Sequence, residues 1–434
     1  MPTTKPTEQR LQEAVCALEP KATALFAQLR EATKDAIGIT RASYGDGEEA
    51  AACLLGRYAA ELGLTTSYDS ARNLWLELPG TAPTCRGVMT GSHLDSVPSG
   101  GNYDGAAGVI AGILALEALL EADLRPAENL VVLGMRGEES AWFGVHHIGS
   151  RALLGLLPAA ELDTAKRFDT GRSLADHMTD VGCDVDSLRR GWRACAAHEV
   201  RAFVELHIEQ GPVLVDRDLP VGIVQGIRGN ARIRSGYCIG EYAHSGAVPR
   251  SMRRDAVLAI ADLVARCEAH WEELEAQGRD LVLTFGKLYT DPTLHTHNKV
   301  PGRVDFVLDA RSHEAEVLDD IAAFITAAAE QIGAARGVEI AWDAISRTRP
   351  AAMDPDIQAI MQAVAGTNEI PVMSIASGGG HDAGDFANAG VPTGMIFVRN
   401  PHGSHNPDEA MAIPDFIAGT KVLAGTLARL ADAR

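Results

Sequence analysis

The chain has 434 residues, 46% hydrophobic and 22% charged, with 39 Lys plus Arg against 58 Asp plus Glu and a formal net charge of −19. That length exceeds what one hydrophobic core usually spans, so two domains are expected. The acidic balance argues against nucleic acid or an anionic membrane as the main partner, since both demand basic surface, while a local arginine still allows an anionic small substrate.

The start, Met1-Pro2-Thr3-Thr4-Lys5-Pro6, has no basic region followed by an apolar one, so no leader is expected. Residues 8–18 and 47–62 carry apolar side chains at helical spacing. The pattern then alternates over 73–78, a half-buried strand, and becomes continuously apolar over 87–92, a buried strand ending in a loop. A long apolar helix over 107–121 and a buried strand over 129–135 complete a strand–loop–helix–strand rhythm, which predicts an α/β sheet covered by helices.

Around 216–220 the character changes. A strand-like stretch over 221–239, a helix over 252–277, strands over 281–285 and 303–309 and a helix over 314–332 suit an inserted α+β domain. The α/β pattern resumes with a helix over 354–366 and a strand over 393–398. The expected organisation is a discontinuous main domain, 1–216 and 335–434, interrupted by a smaller one, 217–334. No uncharged run approaches the ~20 residues of a membrane span. The seven cysteines, at 16, 53, 85, 183, 195, 238 and 267, are odd in number and without CxxC spacing. A disulfide framework and a cysteine-ligated zinc site are therefore not expected, and the cytoplasm is the expected compartment.

Metal-type ligands concentrate where predicted strands end. In Gly91-Ser92-His93-Leu94-Asp95, the alternation of an extended chain puts imidazole and carboxylate on one side, so Asp95 can fix the ring of His93. The loop Gly100-Gly101-Asn102-Tyr103-Asp104-Gly105 lacks phosphate-cradle spacing, and Asp104 reads either as a helix N-cap or as a carboxylate bridging two cations. Glu138-Glu139 follow a buried apolar strand, where two carboxylates are costly unless a cation or solvent satisfies them. One of the pair suits ligation and its neighbour suits a general base. A strand over 203–209 puts His207 and Glu209 on one face, and His405 follows the strand 393–398. No single member is diagnostic; jointly they match the His/Asp/Glu chemistry of dinuclear hydrolases.

The stretches GSHLDSV, GGNYDG, ELHIEQGPVL, SGGGHDA and MIFV…GSHNPDE, in this order, resemble the M20-type metallohydrolases, and specifically their hydantoinase/carbamoylase branch. That branch includes N-carbamoyl-L-amino acid hydrolases, β-ureidopropionases and allantoate amidohydrolases. The resemblance runs from about residue 70 to the C-terminus. It implies a dinuclear catalytic domain with an inserted lid and dimerisation domain. It also implies two divalent ions per subunit, drawn from Zn, Mn, Co or Ni. His93 and His207 would hold one ion and Glu139 and His405 the other, with Asp104 bridging. Glu138 would be the base that activates water, and Asp95 would orient His93. His244 would reach the partner's site in a homodimer and stabilise the transition state, with Asn298 and Arg311 holding the substrate carboxylate. Gln210 and the loop carrying Ser377, Gly379 and His381 would line the pocket. The implied reaction is cleavage of an N-carbamoyl (ureido) L-amino acid by a metal-activated water. Allantoate or an N-acyl amino acid is the alternative, followed by a dipeptide or a non-catalytic binding role.

Three departures stand out. The branch's Glu-Glu-Gly-x-Arg-Phe is here Glu138-Glu139-Ser140-Ala141-Trp142-Phe143, so Trp142 is expected to alter the pocket beside the metals. Its Asn-His-Ala-Gly-Thr-Thr-Pro is here Ala243-His244-Ser245-Gly246-Ala247-Val248-Pro249. Before His405 the chain reads Arg399-Asn400-Pro401-His402-Gly403.

Overall fold

In the computed structural model, which describes residues 7–84 and 87–432, the strands run in chain order. They are β1 (Thr65–Tyr68), β2 (Leu74–Leu78), β3 (Gly87–His93), β4 (Leu130–Met135), β5 (Val200–Ile208), β6 (Val221–Ile227), β7 (Gly229–Ile239) and β8 (Ala243–His244). After them come β9 (Val282–Tyr289), β10 (Lys299–Val300), β11 (Arg303–Ser312), β12 (Glu339–Trp342), β13 (Ile345–Thr348), β14 (Ala351–Ala352), β15 (Val372–Ser377) and β16 (Thr393–Val398). The segment Met1–Pro6 and Cys85, both used in the sequence analysis, lie outside the described residues. The chain divides into two compact units: one runs to Gln225 and resumes at Ala352, the other is Gly226–Ala351.

The first unit is built on a sheet of order β1-β2-β4-β3-β5-β16-β6-β14, with β15 also against β6. Its centre is parallel: β3 pairs with β4 and with β5, and β5 pairs with β16. Every residue of β3, β4 and β16 is buried, the pattern of strands covered on both faces. The helix Ala106–Glu121 is apolar around nearly its whole circumference and, with Ile413–Leu430, packs on the face carrying Ala202, Val204, Leu206 and Ile208. The opposite face of β5 carries Phe203, Glu205 and His207 by the two-residue period of a strand. There Phe203 stacks on Phe386 of the helix Asp382–Asn388 at 3.9 Å between ring centroids.

The second unit is antiparallel, in the order β12-β7-β11-β9 with β13 also on β7. Along β11, Val304, Phe306, Leu308 and Ala310 are buried in alternation and meet Ile260, Leu263, Ile321 and Ile325 of the helices Ala256–Ala276 and Ala315–Arg336.

The boundaries differ from the expected 217–334. The stretch 221–239 is two strands in different sheets: β6 pairs with β16, whereas β7 pairs with β11. Only Arg228 separates them, and at Gly229, the first residue of β7, a Cβ would stand 2.3 Å from the carbonyl of Thr348. At the other end β12 and β13 extend the second unit because both pair with β7. The helix Glu19–Thr33 was not resolved by periodicity, nor was a set of short helices between Ser140 and Arg189 with its own core of Trp142, Phe143, Leu162, Leu174 and Met178. Among the described residues no helix is long and apolar enough to cross a membrane, and Cys16, Cys53, Cys183, Cys195, Cys238 and Cys267 are free thiols.

Candidate metal centre

Because β3, β4, β5 and β16 are parallel, their carboxyl ends meet at one edge of the sheet, the edge where open α/β sheets carry ligands. His93 ends β3, Glu138 and Glu139 follow β4, His207 lies one residue before the end of β5, and His405 follows β16. Asp104 enters from the loop before the helix Ala106–Glu121. Gly105 makes that approach possible: its φ is 65°, and a Cβ there would lie 2.5 Å from the ring of His93.

Asp104 is the hub. Its Oδ1 lies 3.1 Å from His207 Nε2 and 3.5 Å from His93 Nε2. Its Oδ2 lies 3.3 Å from His405 Nε2 and takes the Gln210 amide at 2.9 Å. His405 Nε2 is also 3.2 Å from Glu139 Oε1. Two ligand sets follow, His93–Asp104–His207 and Asp104–Glu139–His405, with donor atoms within 4.8 Å in each. Asp104 Oδ1 is buried and receives no hydrogen bond among the described residues. Mixed nitrogen and oxygen donors converging on such an oxygen fit divalent cations.

The tautomers are set from behind. His93 Nδ1 is 3.1 Å from the carbonyl of Asp95, and His207 Nδ1 is 2.9 Å from that of Ile208. A carbonyl only accepts, so each Nδ1 carries a proton and each Nε2 faces Asp104. Burial opposes charge on Asp104, yet His207, His405 and His93 outweigh it and hold the carboxyl well below its ordinary range. Hydrogen bonds to Asp104 and then Glu139 raise His405 to about 10, while burial pushes Glu139 up to about 7.

Asp95 faces His93 and the Glu138 loop together. Its carbonyl is 3.1 Å and its carboxylate 3.4 Å from His93 Nδ1. The carboxylate also accepts from the N–H groups of Glu138 and Glu139 at 3.0 and 3.1 Å and from the Ser43 hydroxyl at 2.6 Å. Glu209 does not join this cluster. The chain leaves the strand after Ile208, and Glu209 accepts from the N–H groups of Val213 and Leu214 at the start of a short helix. Trp142 is buried rather than lining a pocket. Its indole N–H donates to the Ser96 carbonyl at 2.7 Å, and Arg167 and Phe168 cover its ring.

Ser377 and His381 are buried and bonded to each other at 2.9 Å, with the His381 ring edge-on to His207. Gly378 and Gly380 of the same loop are exposed. In the second unit, Ser245 N–H donates to the Asn298 carbonyl at 3.0 Å, so His244, at the end of β8, and Asn298, just before β10, are neighbours. His244 is exposed, and its Nδ1 accepts from Gly246 N–H at 3.1 Å, which leaves the ring proton on Nε2. Arg311 is held by Asp309 at 2.9 Å.

Several supporting residues escaped the sequence reading. Glu409 accepts from the N–H groups of Tyr103 and Asp104 at 2.8 and 3.2 Å and so fixes the Asp104 loop; its place in GSHNPDE was the available signal. The fully buried Arg41 donates to the carbonyls of Leu94 and Asp104. Arg136 and Glu48 form a fully buried ion pair beneath the Glu138 loop, and Glu48 also accepts the N–H of Gly137 at 2.9 Å. Arg41 and Glu48 carry no motif of their own, because their partners at the site lie far away in sequence.

Similarity to known proteins agrees with this geometry. An N-carbamoyl-L-amino acid amidohydrolase from Geobacillus stearothermophilus is 37% identical over 396 residues, covering 91% of this chain and 94% of that protein. An allantoate amidohydrolase from Escherichia coli K12 is 35% identical, covering 86% and 88%. The crystal structure of a hydantoinase/carbamoylase family amidase from Burkholderia ambifaria superposes with a TM-score of 0.84 at 27% identity, covering 96% of this chain and 97% of that one. The model of peptidase family M20/M25/M40 matches residues 89–429, and the chain belongs to that family.

Proposed function

We propose that the chain is a metal-dependent amidohydrolase that cleaves the C–N bond of an N-carbamoyl (ureido) L-amino acid to give the free amino acid, CO2 and ammonia. The observation that carries this reading is Asp104, whose two oxygens face two separate ligand sets, with Glu139 in one of them and Glu138 beside it. Two divalent ions of the Zn, Mn, Co or Ni type, when bound, would lower the pKa of water and polarise the scissile carbonyl. His93 and His207 would hold one, Glu139 and His405 the other, and Asp104 both.

The protein's own groups then divide the work. Glu138 takes the proton of the attacking water and passes it to the leaving nitrogen. The N–H of His244 Nε2 meets charge developing on the carbonyl oxygen. Arg311 and Asn298 grip the substrate carboxylate, for which the planar guanidinium is suited. Gln210 and the loop of Ser377, Gly379 and His381 shape the acyl side. In this reading the second unit is the lid and dimerisation domain, the enzyme is a cytoplasmic homodimer, and His244 serves the partner's site. The likeness to an allantoate amidohydrolase supports allantoate as the alternative substrate for the same machinery.

The test is ammonia release from a panel of ureido and N-acyl acids, with protein reconstituted with Mn, Zn or Co. Turnover of a ureido acid that a chelator abolishes supports the reading. Release only from N-acyl amino acids moves the activity to an aminoacylase. Silence across the panel with metals bound overturns the enzyme reading in favour of a binding protein.

A further inference from the structure

We infer that His147 is a positioning residue for Glu138, locking one carboxylate oxygen so that the other faces the metal centre. The inference rests on the assignment of Glu138 as base. His147 Nε2 lies 3.1 Å from Glu138 Oε1, and His147 Nδ1 lies 2.9 Å from Asp385 Oδ2. The ring thus stands between two carboxylates, one on each nitrogen. Glu138 Oε2 is left pointing toward His93, 3.9 Å from its Nε2.

The ring is held as firmly as it holds. Asp385, from the helix Asp382–Asn388, also accepts from the Ser150 hydroxyl at 3.2 Å, and the same hydroxyl meets Asp382 at 2.5 Å. His147 N–H donates to the Glu138 carbonyl at 3.0 Å, closing the intervening loop on itself. The glycine loop lies against the ring, since a Cβ at Gly380 would be 3.3 Å from His147 Nε2. His147 adopts φ 54°, in the left-handed region that residues with side chains seldom occupy. A buried imidazole kept in that conformation with a carboxylate on each nitrogen is over-determined, as groups that orient a reacting side chain are. A fold-stabilising ion pair alone is the competing explanation.

The experiment compares wild type with H147L, H147Q, D385N, the H147L/D385N double variant and E138Q, all full length. Steady-state constants and bound metal are measured, and the metal-free proteins give imidazole 15N–1H NMR spectra. H147L should lower kcat about 10–100-fold, the usual cost of losing an outer-shell partner, with KM and metal content unchanged. H147Q, whose amide N–H can reach Glu138 Oε1, should recover most of that loss. D385N does not touch Glu138 yet should lower kcat as well, and the double variant should be no worse than H147L. The Nε2 resonance of His147 should move in E138Q and its Nδ1 resonance in D385N.

A wild-type kcat in H147L overturns the inference, as does a loss carried by KM or metal content, or equal losses in H147L and H147Q. An Nε2 resonance indifferent to E138Q overturns it without any turnover measurement, and decides the matter if H147L does not fold. Full activity in E138Q removes Glu138 as base. An inactive E138Q beside a fully active H147L removes only the role of His147.

Discussion

The carboxylate of Asp95 accepts the main-chain N–H of Glu138 at 3.0 Å, and its other oxygen takes that of Glu139 at 3.1 Å. One side chain from the β3 loop thus fixes the backbone that carries both the proposed base, Glu138, and the proposed metal ligand Glu139. Asp95→Asn replaces an acceptor oxygen with a donor facing a donor. It is expected to lower kcat by about 10–100-fold and to loosen metal retention, as loss of outer-shell partners does. Steady-state kinetics with metal analysis checks this; unchanged values for both would remove Asp95 as the clamp.

Gly105 stands where no side chain fits. At φ 65°, a Cβ would lie 2.5 Å from the His93 ring. Gly105→Ala is expected to displace that ring, costing about 1–3 kcal/mol by overpacking and leaving the His93–Asp104–His207 set unable to hold a cation. Metal stoichiometry should fall while the circular dichroism of the fold persists. Full stoichiometry would show that the loop yields without cost.

The five candidate ligands were legible because His93, Glu139 and His207 lie at or just past the ends of buried parallel strands, while Asp104 and His405 stand in the contiguous loop motifs GGNYDG and GSHNPDE farther on. Glu209 misled, because alternation was continued past the last strand residue, Ile208. The pairing of His147 with Asp385 spans 238 positions, and neither residue sits in a pattern of its own. The split of 221–239 into β6 and β7 was invisible because both halves are equally strand-like; what divides them is the change of partner, from β16 to β11 and β13. The helices between Ser140 and Arg189 are each four to seven residues long, too short to show a period.

Trp142 was expected to reshape the pocket, and its burial predicts a different effect. With its indole bonded to the Ser96 carbonyl and its ring beneath Arg167 and Phe168, Trp142→Ala should cost about 3–5 kcal/mol of stability. Trp142→Phe should cost about 1 kcal/mol, the value of the lost hydrogen bond. KM should stay constant in the folded fraction of Trp142→Phe. A change of substrate preference with unaltered denaturant midpoint would put the indole back in the pocket wall.

Arg311 is presented by Asp309, which also accepts from Arg232 at 2.9 Å. Arg311→Ala is expected to weaken carboxylate substrates by about 2 kcal/mol, the low end for a charged pair because the side chain is only partly buried. Arg311→Lys should rescue little, since an ammonium lacks the planar fork. KM on an acid and on its carboxylate-free analogue makes the comparison. Equal losses on both would contradict carboxylate binding.

Asp280 links the stability of the second unit to pH. Its carboxylate receives Arg228 at 2.5 and 2.9 Å and the N–H of His313 at 3.0 Å, with the His313 ring 2.9 Å away. Burial opposes ionisation, but His313 and Arg228 prevail and hold the carboxyl below its ordinary value. A depressed folded pKa contributes stability above the unfolded value of about 3.9 and loses it as pH falls toward the folded one. Wild type should therefore weaken progressively on acidification below about pH 4. Asp280→Asn should cost about 1–3 kcal/mol at neutral pH, the worth of hydrogen bonds to a charged group. It should also flatten that acid limb, so the gap between the two proteins narrows as pH drops. Denaturant midpoints of both across the acid range decide it. A gap that stays constant with pH would show that Asp280 stabilises the unit through packing rather than charge.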